Sequence, residues 1–317
     1  MATPLEIAAA HAAAQQKLNA DIQVEALRIW RGLVRLGPGR LRQAWPDAQA
    51  ELLVLLVAAQ LAAAAKSDDY IAEVAAAQSI GVPPEGALAA EAVAAVASDG
   101  RPLETLLDQA ALAVLAALAS GLSRAQSFAS GLATLAMILS TQIADAGRAG
   151  ESVASTNLRL TGYVRMLTGA TSCSRCVILA GRWYEWNEGF ERHPDCDCIH
   201  IPAREDRAGD LRTDPDAYFR SLSADEQDRV FTNAGAQAIR DGADMNQVVN
   251  ARSGMRTAQV FGRRTLTTTT GTTRRAQASR FIRVGGRPVR LMPETIYDIA
   301  ESQEHALELL RIHGFII

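Results

Sequence analysis

All four cysteines of this chain fall between residues 173 and 198, as Cys173-Ser174-Arg175-Cys176 and then His193-Pro194-Asp195-Cys196-Asp197-Cys198. A Cys-x2-Cys turn brings two sulfurs to one point, and a second pair from a distant strand or loop completes the tetrahedral sulfur set of structural zinc. Cys173 and Cys176 fit the first half. Cys196 and Cys198 supply the second if Asp197 bulges outward, with His193 as an alternative ligand. The spacing is less regular than two Cys-x2-Cys knuckles, so disulfides in an assembled particle and packed thiols stand beside structural zinc as readings of the same residues. Catalytic zinc fits less well, because four sulfurs leave no open position for water. A cysteine nucleophile with His193 or His200 as base, and a ligand cage of Trp183 and Trp186, are each weaker readings than burial around a small sheet.

Upstream of that window the chain is rich in alanine; aromatics make up only 5% of its 317 residues and apolar residues 48%. Such a composition suits helices packed closely through small side chains. The fold class expected is mainly α: an Ala-rich N-terminal helical bundle, then a small α+β Cys/His module and a basic linker with a C-terminal helix pair. From Asp21 to Leu36, Ile22, Ala26, Ile29, Leu33 and Leu36 recur at helical spacing until Gly37-Pro38-Gly39 stops them. Further helices are predicted over about 46–65, 69–79, 86–98, 103–120, 124–146 and 151–168, with breaks at Gly81-Val82-Pro83-Pro84, Gly100-Arg101-Pro102 and Gly147-Arg148-Ala149-Gly150. Leu52 to Ala65 is apolar but interrupted by Gln60 and shorter than the roughly 20 residues of a bilayer crossing. It reads as a buried bundle helix, and no membrane contact is expected. The N-terminus lacks a basic start followed by an apolar core, so synthesis is expected to end in a cytoplasm.

After Met166, Val177-Ile178-Leu179, Arg182-Trp183-Tyr184 and Ile199-His200-Ile201 are short β-prone runs around Gly181, so a small sheet or hairpin should carry the cysteines. Ser223-Ala224-Asp225-Glu226 has the form of a capping box and starts a helix to about Asn233. Two short helices follow between Ala234 and Arg252, the second opening at Asp244. The expected domains are 1–150 helical, 151–212 the Cys/His module, 213–255 short helices, 256–291 a basic low-complexity linker and 292–317 the terminal helix pair. That pair, with Ile296, Leu310, Ile312 and Phe315, carries more apolar residues than it can hide. It needs a partner groove or the chain's own helical domain to lean on.

The order Gly162-Tyr163, Cys173-x2-Cys176, Gly181, then His193, Pro194, Cys196, Cys198 and Pro202 resembles the phage-head morphogenesis domain named after the F protein of phage Mu, over about residues 150–205. The Arg-rich tail, with Leu291 to Tyr297 and the closing Leu309 to Gly314, looks like the ends of minor head proteins of tailed phages infecting actinobacteria. Some of those relatives carry the label of capsid maturation protease. The resemblance implies a structural minor capsid protein, made in the host cytoplasm and placed in the virion at the head interior or portal vertex. Portal and major capsid proteins would be its partners, and it would be oligomeric there. It implies no catalytic residue. Gly-x-Ser-x-Gly and His-Glu-x-x-His are absent from the sequence, so the structural role is preferred to the protease, whose triads can nonetheless assemble without local motifs.

From Arg252 to Arg290 the chain has ten arginines and no Asp or Glu, against a net charge of -3 for the whole. Arg263, Arg264, Arg274, Arg275, Arg280 and Arg283 are the candidate contacts to packaged double-stranded DNA, through release of phosphate counterions. A solvated linker is the alternative. Phe261 and Phe281 are too few for a single-strand stacking platform. A zinc-dependent DNA-binding regulator ranks last, since Arg159 and Arg165 are the only arginines near the cysteines on their upstream side.

Overall fold

The first helix begins long before the periodic segment at Asp21. Thr3 and Glu6 close a capping box, with the Glu6 N–H donating to the Thr3 hydroxyl at 3.2 Å and the Thr3 N–H to the Glu6 carboxylate at 2.8 Å. This starts α1 (Pro4–Leu36) in a stretch where alanine propensity suffices without apolar periodicity. A computed structural model describes residues 2–80, 86–158, 162–168, 172–186, 188–189, 193, 196, 198–260, 262–272 and 276–316. By contact the chain divides into two units, Met1–Thr168 with Trp183–Arg212, and Gly169–Arg182 with Thr213–Ile317.

In the first unit, Gly37 at φ +83° turns α1 into α2 (Pro38–Ala64), which is followed by α3 (Ser67–Ala77), α4 (Leu103–Ala119) and α5 (Arg124–Thr156). Trp30, Leu52, Leu56, Leu103, Leu107 and Leu135 form the centre of the bundle, where the Trp30 ring meets Trp45 and Phe128 edge-on. By length and composition alone, Pro38–Ala77 and Arg124–Thr156 are apolar enough to cross a bilayer. Here they supply Leu52, Leu56 and Leu135 to that core.

The helix expected over 86–98 is absent; a single 3-10 turn covers Ala90–Val93. Two buried glutamines take the place of helical bonding. The Gln60 carbonyl accepts from Ala95 N–H and its amide donates to Val96 O, while the Gln142 carbonyl accepts from Ser98 N–H. The expected break at Gly147–Gly150 is also absent, and α5 runs through it. These glycines serve packing instead: a Cβ on Gly150 would lie 2.5 Å from Ser67 Oγ and 3.2 Å from Ala64 O.

The helix predicted to reach residue 168 ends at Thr156, and Gly162–Met166 is a strand, β1. It lies between β2 (Trp183–Tyr184) and β3 (Ile199–Ala203), antiparallel to both, with Val164 opposite Trp183 and Ile201. A Cβ at Gly162 would stand 2.3 Å from the Trp183 ring, so the strand needs glycine there. The sheet packs on α1, α3 and α5 through β3.

The second unit holds α6 (Ser174–Ala180), where the Val177-Ile178-Leu179 run predicted as β is helical and buried on all three residues. A three-residue apolar run has no period that separates helix from strand. α7 (Pro215–Ser221) follows, then α8 (Ala224–Phe231) behind the Ser223–Glu226 capping box, α9 (Asn233–Arg240) and α10 (Met245–Ala251) capped by Asp244, as the sequence predicts.

Much of the segment expected as a linker is sheet. β4 (Met255–Val260) and β5 (Arg263–Thr268) form an antiparallel hairpin. β6 (Arg283–Val284) and β7 (Arg287–Pro288) make a second one across Gly285 and Gly286, both at positive φ as a two-residue turn demands. β8 (Arg290–Leu291) adds to the free edge of β5. The threonine run reads as low complexity, yet its β-branched side chains favour a strand, and buried Thr267 and Thr268 donate to the carbonyls of Arg256 and Ala251. The terminal helices, α11 (Pro293–Ile299) and α12 (Gln303–Ile312), bury Ile296, Leu310 and Phe315 in this unit's own core with Val289 and Leu291. Arg290 is wholly buried. It donates to the carbonyls of Thr270 (2.9 Å), His313 (3.1 Å) and Gly314 (3.3 Å), and its guanidinium lies 4.2 Å over the Phe315 ring.

In an exposed helix Gly→Ala gains about 1 kcal/mol of helix propensity. At Gly131 on α5 the added Cβ would lie 2.4 Å from Val114 Cγ2 and 2.8 Å from both Ala110 O and the Trp30 ring. Overpacking wins, so Gly131→Ala is expected to lower stability by about 1–3 kcal/mol, read as a fall in Tm.

Candidate functional site

The two cysteine pairs belong to different units, and each is held by its own surroundings. In the second unit Cys173 is the N-cap of α6, and its Sγ accepts from the Cys176 N–H at 3.4 Å. The first cysteine at the cap and the second three residues on place both sulfurs at one end of the helix, within 4.8 Å of each other. Cys176 is buried and Cys173 half-buried. The helix is tied down by Arg175, which donates to Asn250 Oδ1 at 2.8 Å, and by Thr213 N–H, which donates to Ala180 O.

In the first unit Cys196 and Cys198 lead into β3, both buried, with their sulfurs also within 4.8 Å of each other. One residue of α5 fixes that turn. Arg148 donates through Nη1 to the carbonyls of Cys196 (2.8 Å) and Cys198 (3.1 Å), and through Nη2 to Asp145 Oδ1 (2.5 Å). Arg165 Nη1 lies 3.9 Å from the Cys196 sulfur. His193 opens the turn, its carbonyl accepting from Cys196 N–H at 3.1 Å; Pro194, Asp195 and Asp197 lie outside the described residues.

Two turns along α5 from Arg148's partner Asp145, Glu151 meets two imidazoles. Its Oε1 is 3.0 Å from His11 Nε2 on α1, and its Oε2 is 2.9 Å from His200 Nδ1 on β3 and accepts the His200 N–H at 3.2 Å. Tyr70 on α3 stacks on His11 with ring centroids 4.0 Å apart and donates to His200 O at 2.5 Å. Burial alone would raise the Glu151 carboxyl, but the hydrogen bonds from both histidines outweigh it and hold the group at about 2. Burial lowers His200, against the pull of Glu151, so the imidazole is neutral near neutrality. Both oxygens of Glu151 are engaged, and His200 meets this carboxylate through its Nδ1 and its backbone N–H. A cavity of about 680 Å³ between α1 and α5 is lined by Gln15, Asn19, Ser140, Arg148, Glu151 and Cys196.

Asp145, Arg148, Glu151 and His11 have no local motif in the sequence. The one signal was the spacing of three between Asp145, Arg148 and Glu151 along a single helix, which the supposed break at Gly147–Gly150 concealed. Of the candidate phosphate contacts, Arg263, Arg264, Arg280 and Arg283 are exposed in the second unit, and Arg274 and Arg275 lie outside the described residues.

A family model described as VG15 protein matches residues 1–224, which takes in all of the first unit and both cysteine pairs. No curated protein matches, and no solved structure matches.

Because the Glu151 carboxyl is lowered on folding, its contribution to stability is present above about pH 4.5 and is lost as pH falls from there toward 2. Acid titration of the wild type is expected to show that loss. Glu151→Ala, which leaves two buried imidazoles without their acceptor, should cost roughly 3–5 kcal/mol in urea unfolding at neutral pH and should flatten the acid limb.

Proposed function

This chain belongs to the VG15 family of phage proteins, and we propose that it is a structural minor head protein of a tailed phage, built into the virion at the head interior or portal vertex. The observation that carries the proposal is the family match over residues 1–224, joined to the His193, Pro194, Cys196, Cys198 and Pro202 pattern that resembles head-morphogenesis domains. Portal and major capsid proteins are its partners, it is oligomeric in the particle, and packaged double-stranded DNA lies against its arginine-rich part.

In the same reading the cysteines hold one structural zinc. Cys173 and Cys176 in the second unit, and Cys196 and Cys198 in the first, each bring two sulfurs within 4.8 Å of one another. The donors fit: thiolates are the preferred ligands of structural zinc, and sulfurs on one tetrahedral ion lie roughly 3.7 Å apart, inside the 4.8 Å spread within each pair. The four cysteines would be the ligands, with His193 able to replace one. The ion's role would be to pin loop segments too short to carry a core of their own.

Mass spectrometry of purified particles should find the chain at low copy number, and it should co-purify with portal protein when the two are co-expressed. Absence from particles would overturn the structural reading. Specific cleavage of capsid or scaffold protein by the purified chain, abolished by one Ser or His substitution, would replace it with the maturation protease. Metal analysis of the isolated full chain is expected to give one zinc per chain, with release of the metal in Cys196→Ser. A metal-free chain whose intact mass shows paired oxidised cysteines would establish disulfides instead.

A further inference from the structure

The other exposed large apolar side chains among the described residues lie between 37% and 70% accessible, but Phe281 stands at 86%. Its exposure is imposed by the fold. Ala278 and Ile282 on either side are buried, and the Phe281 and Ile282 N–H groups both donate to Ala278 O, so the ring is held out between two anchors.

The charged residues beside Phe281 in the chain and on the hairpin that follows carry one sign. Arg280 precedes it and Arg283 opens β6 two residues later; Arg287 lies on β7, paired with β6, and Arg263 and Arg264 lie on β5, whose partner β4 contacts β6. All five arginines are exposed, and among the described residues no carboxylate pairs with any of them. Arginines elsewhere in this unit do find acids: Arg240 is 3.1 Å from Asp228 and Arg252 is 2.5 Å from Glu294. Arg290, for all its place in the basic run, is turned inward.

We propose that the turn and hairpin carrying Arg280, Phe281, Arg283 and Arg287, with the exposed Arg263 and Arg264 of β5, bind a nucleic-acid strand, the guanidiniums taking phosphates and the Phe281 ring stacking on a base face. The inference rests on the reading that DNA lies against the arginine-rich part of the chain. Guanidiniums without an acid partner among the described residues attract phosphate by charge, and a protruding ring matches the π-face that every base offers. One ring is too few for a platform along successive bases, so the contact is with a single base, at an unpaired position of a strand or at a duplex step into which the ring wedges.

Fluorescence anisotropy of the purified full chain, with a labelled single strand and a labelled duplex of unrelated sequence, separates those sources. Affinity is expected to fall steeply as salt rises from 50 to 200 mM. Phe281→Ala should weaken binding about 5- to 100-fold on at least one of the two probes, and Phe281→Trp should restore it. Replacing Arg280 and Arg283 together by Ala should weaken both probes and flatten the salt slope. Because all three side chains are exposed, circular dichroism and Tm should not change. Phe281→Ala binding both probes as tightly as wild type would overturn the proposal, as would adsorption to anionic vesicles without any binding to either probe. A chain found in particles that fails these assays leaves the structural reading standing and removes this one; a chain that binds strands but is missing from particles does the reverse.

Discussion

One guanidinium inside the first unit makes the buried cysteine turn feasible. The carbonyls of Cys196 and Cys198 sit where the chain is too irregular for a strand ladder, and leaving them unpaired in the interior would cost on the order of 1–3 kcal/mol each. Arg148 reaches both at once, and Asp145 balances its charge. Glu151, on the same face of α5, then ties β3 to α1 through His200 and His11. Residues 145, 148 and 151 share that face only because α5 is continuous. A helix broken at Gly147–Gly150 would scatter the acid, the base and the acid, and each would become a buried charge without a partner.

The second unit reaches the same solution with different parts. Arg290 enters from β8 and donates to the carbonyls of Thr270, His313 and Gly314, joining the end of the threonine segment to the turn that closes α12. Burial lowers its guanidinium to about 10, which still leaves it charged at neutrality, and the Phe315 ring covers its face. Leu291 N–H completes the join by donating to His313 Nδ1, an imidazole that burial, aided by Arg290, lowers to about 4 and so keeps neutral as an acceptor. In both units a loop with no ladder of its own is fixed by a planar donor anchored on a regular element.

What the sequence disclosed follows from which signals are local. The Ser223 capping box, the Asp244 cap and the helices of the apolar bundle were legible because a hydroxyl or carboxylate at a helix start acts on amides two or three residues away. The cysteine window was legible as a window, and the strands at Trp183–Tyr184 and Ile199–Ala203 with it. Gly147 and Gly150 were misleading because a glycine signals a break or a close approach with equal force, and only Ser67 and Ala64, far away in the chain, decide which. The 86–98 segment failed for the same reason: its alanines favour a helix, but Gln60 and Gln142 claim its backbone groups from other helices. Glu151 with its two histidines spans most of the first unit's sequence and has no local trace.

Composition hides a further distinction among the basic residues. All but Lys17 and Lys66 of the 32 lysines and arginines are arginine, a bias that reads as a uniform property of the chain. The fold sorts them into two kinds. Arg148 and Arg290 each hold three or more acceptors in the fan of one planar group, and a lysine ammonium on its flexible stem could not span the Cys196 and Cys198 carbonyls while also pairing Asp145. Arg263, Arg264, Arg280, Arg283 and Arg287 face water without an acid partner among the described residues, where charge alone governs long-range attraction to phosphate and lysine would serve nearly as well. An Arg→Lys exchange is therefore conservative or severe according to burial, and the same ten-arginine run contains both cases. Its charge belongs partly to the surface and partly to the core, so counting it whole overstates the field that a polyanion would meet.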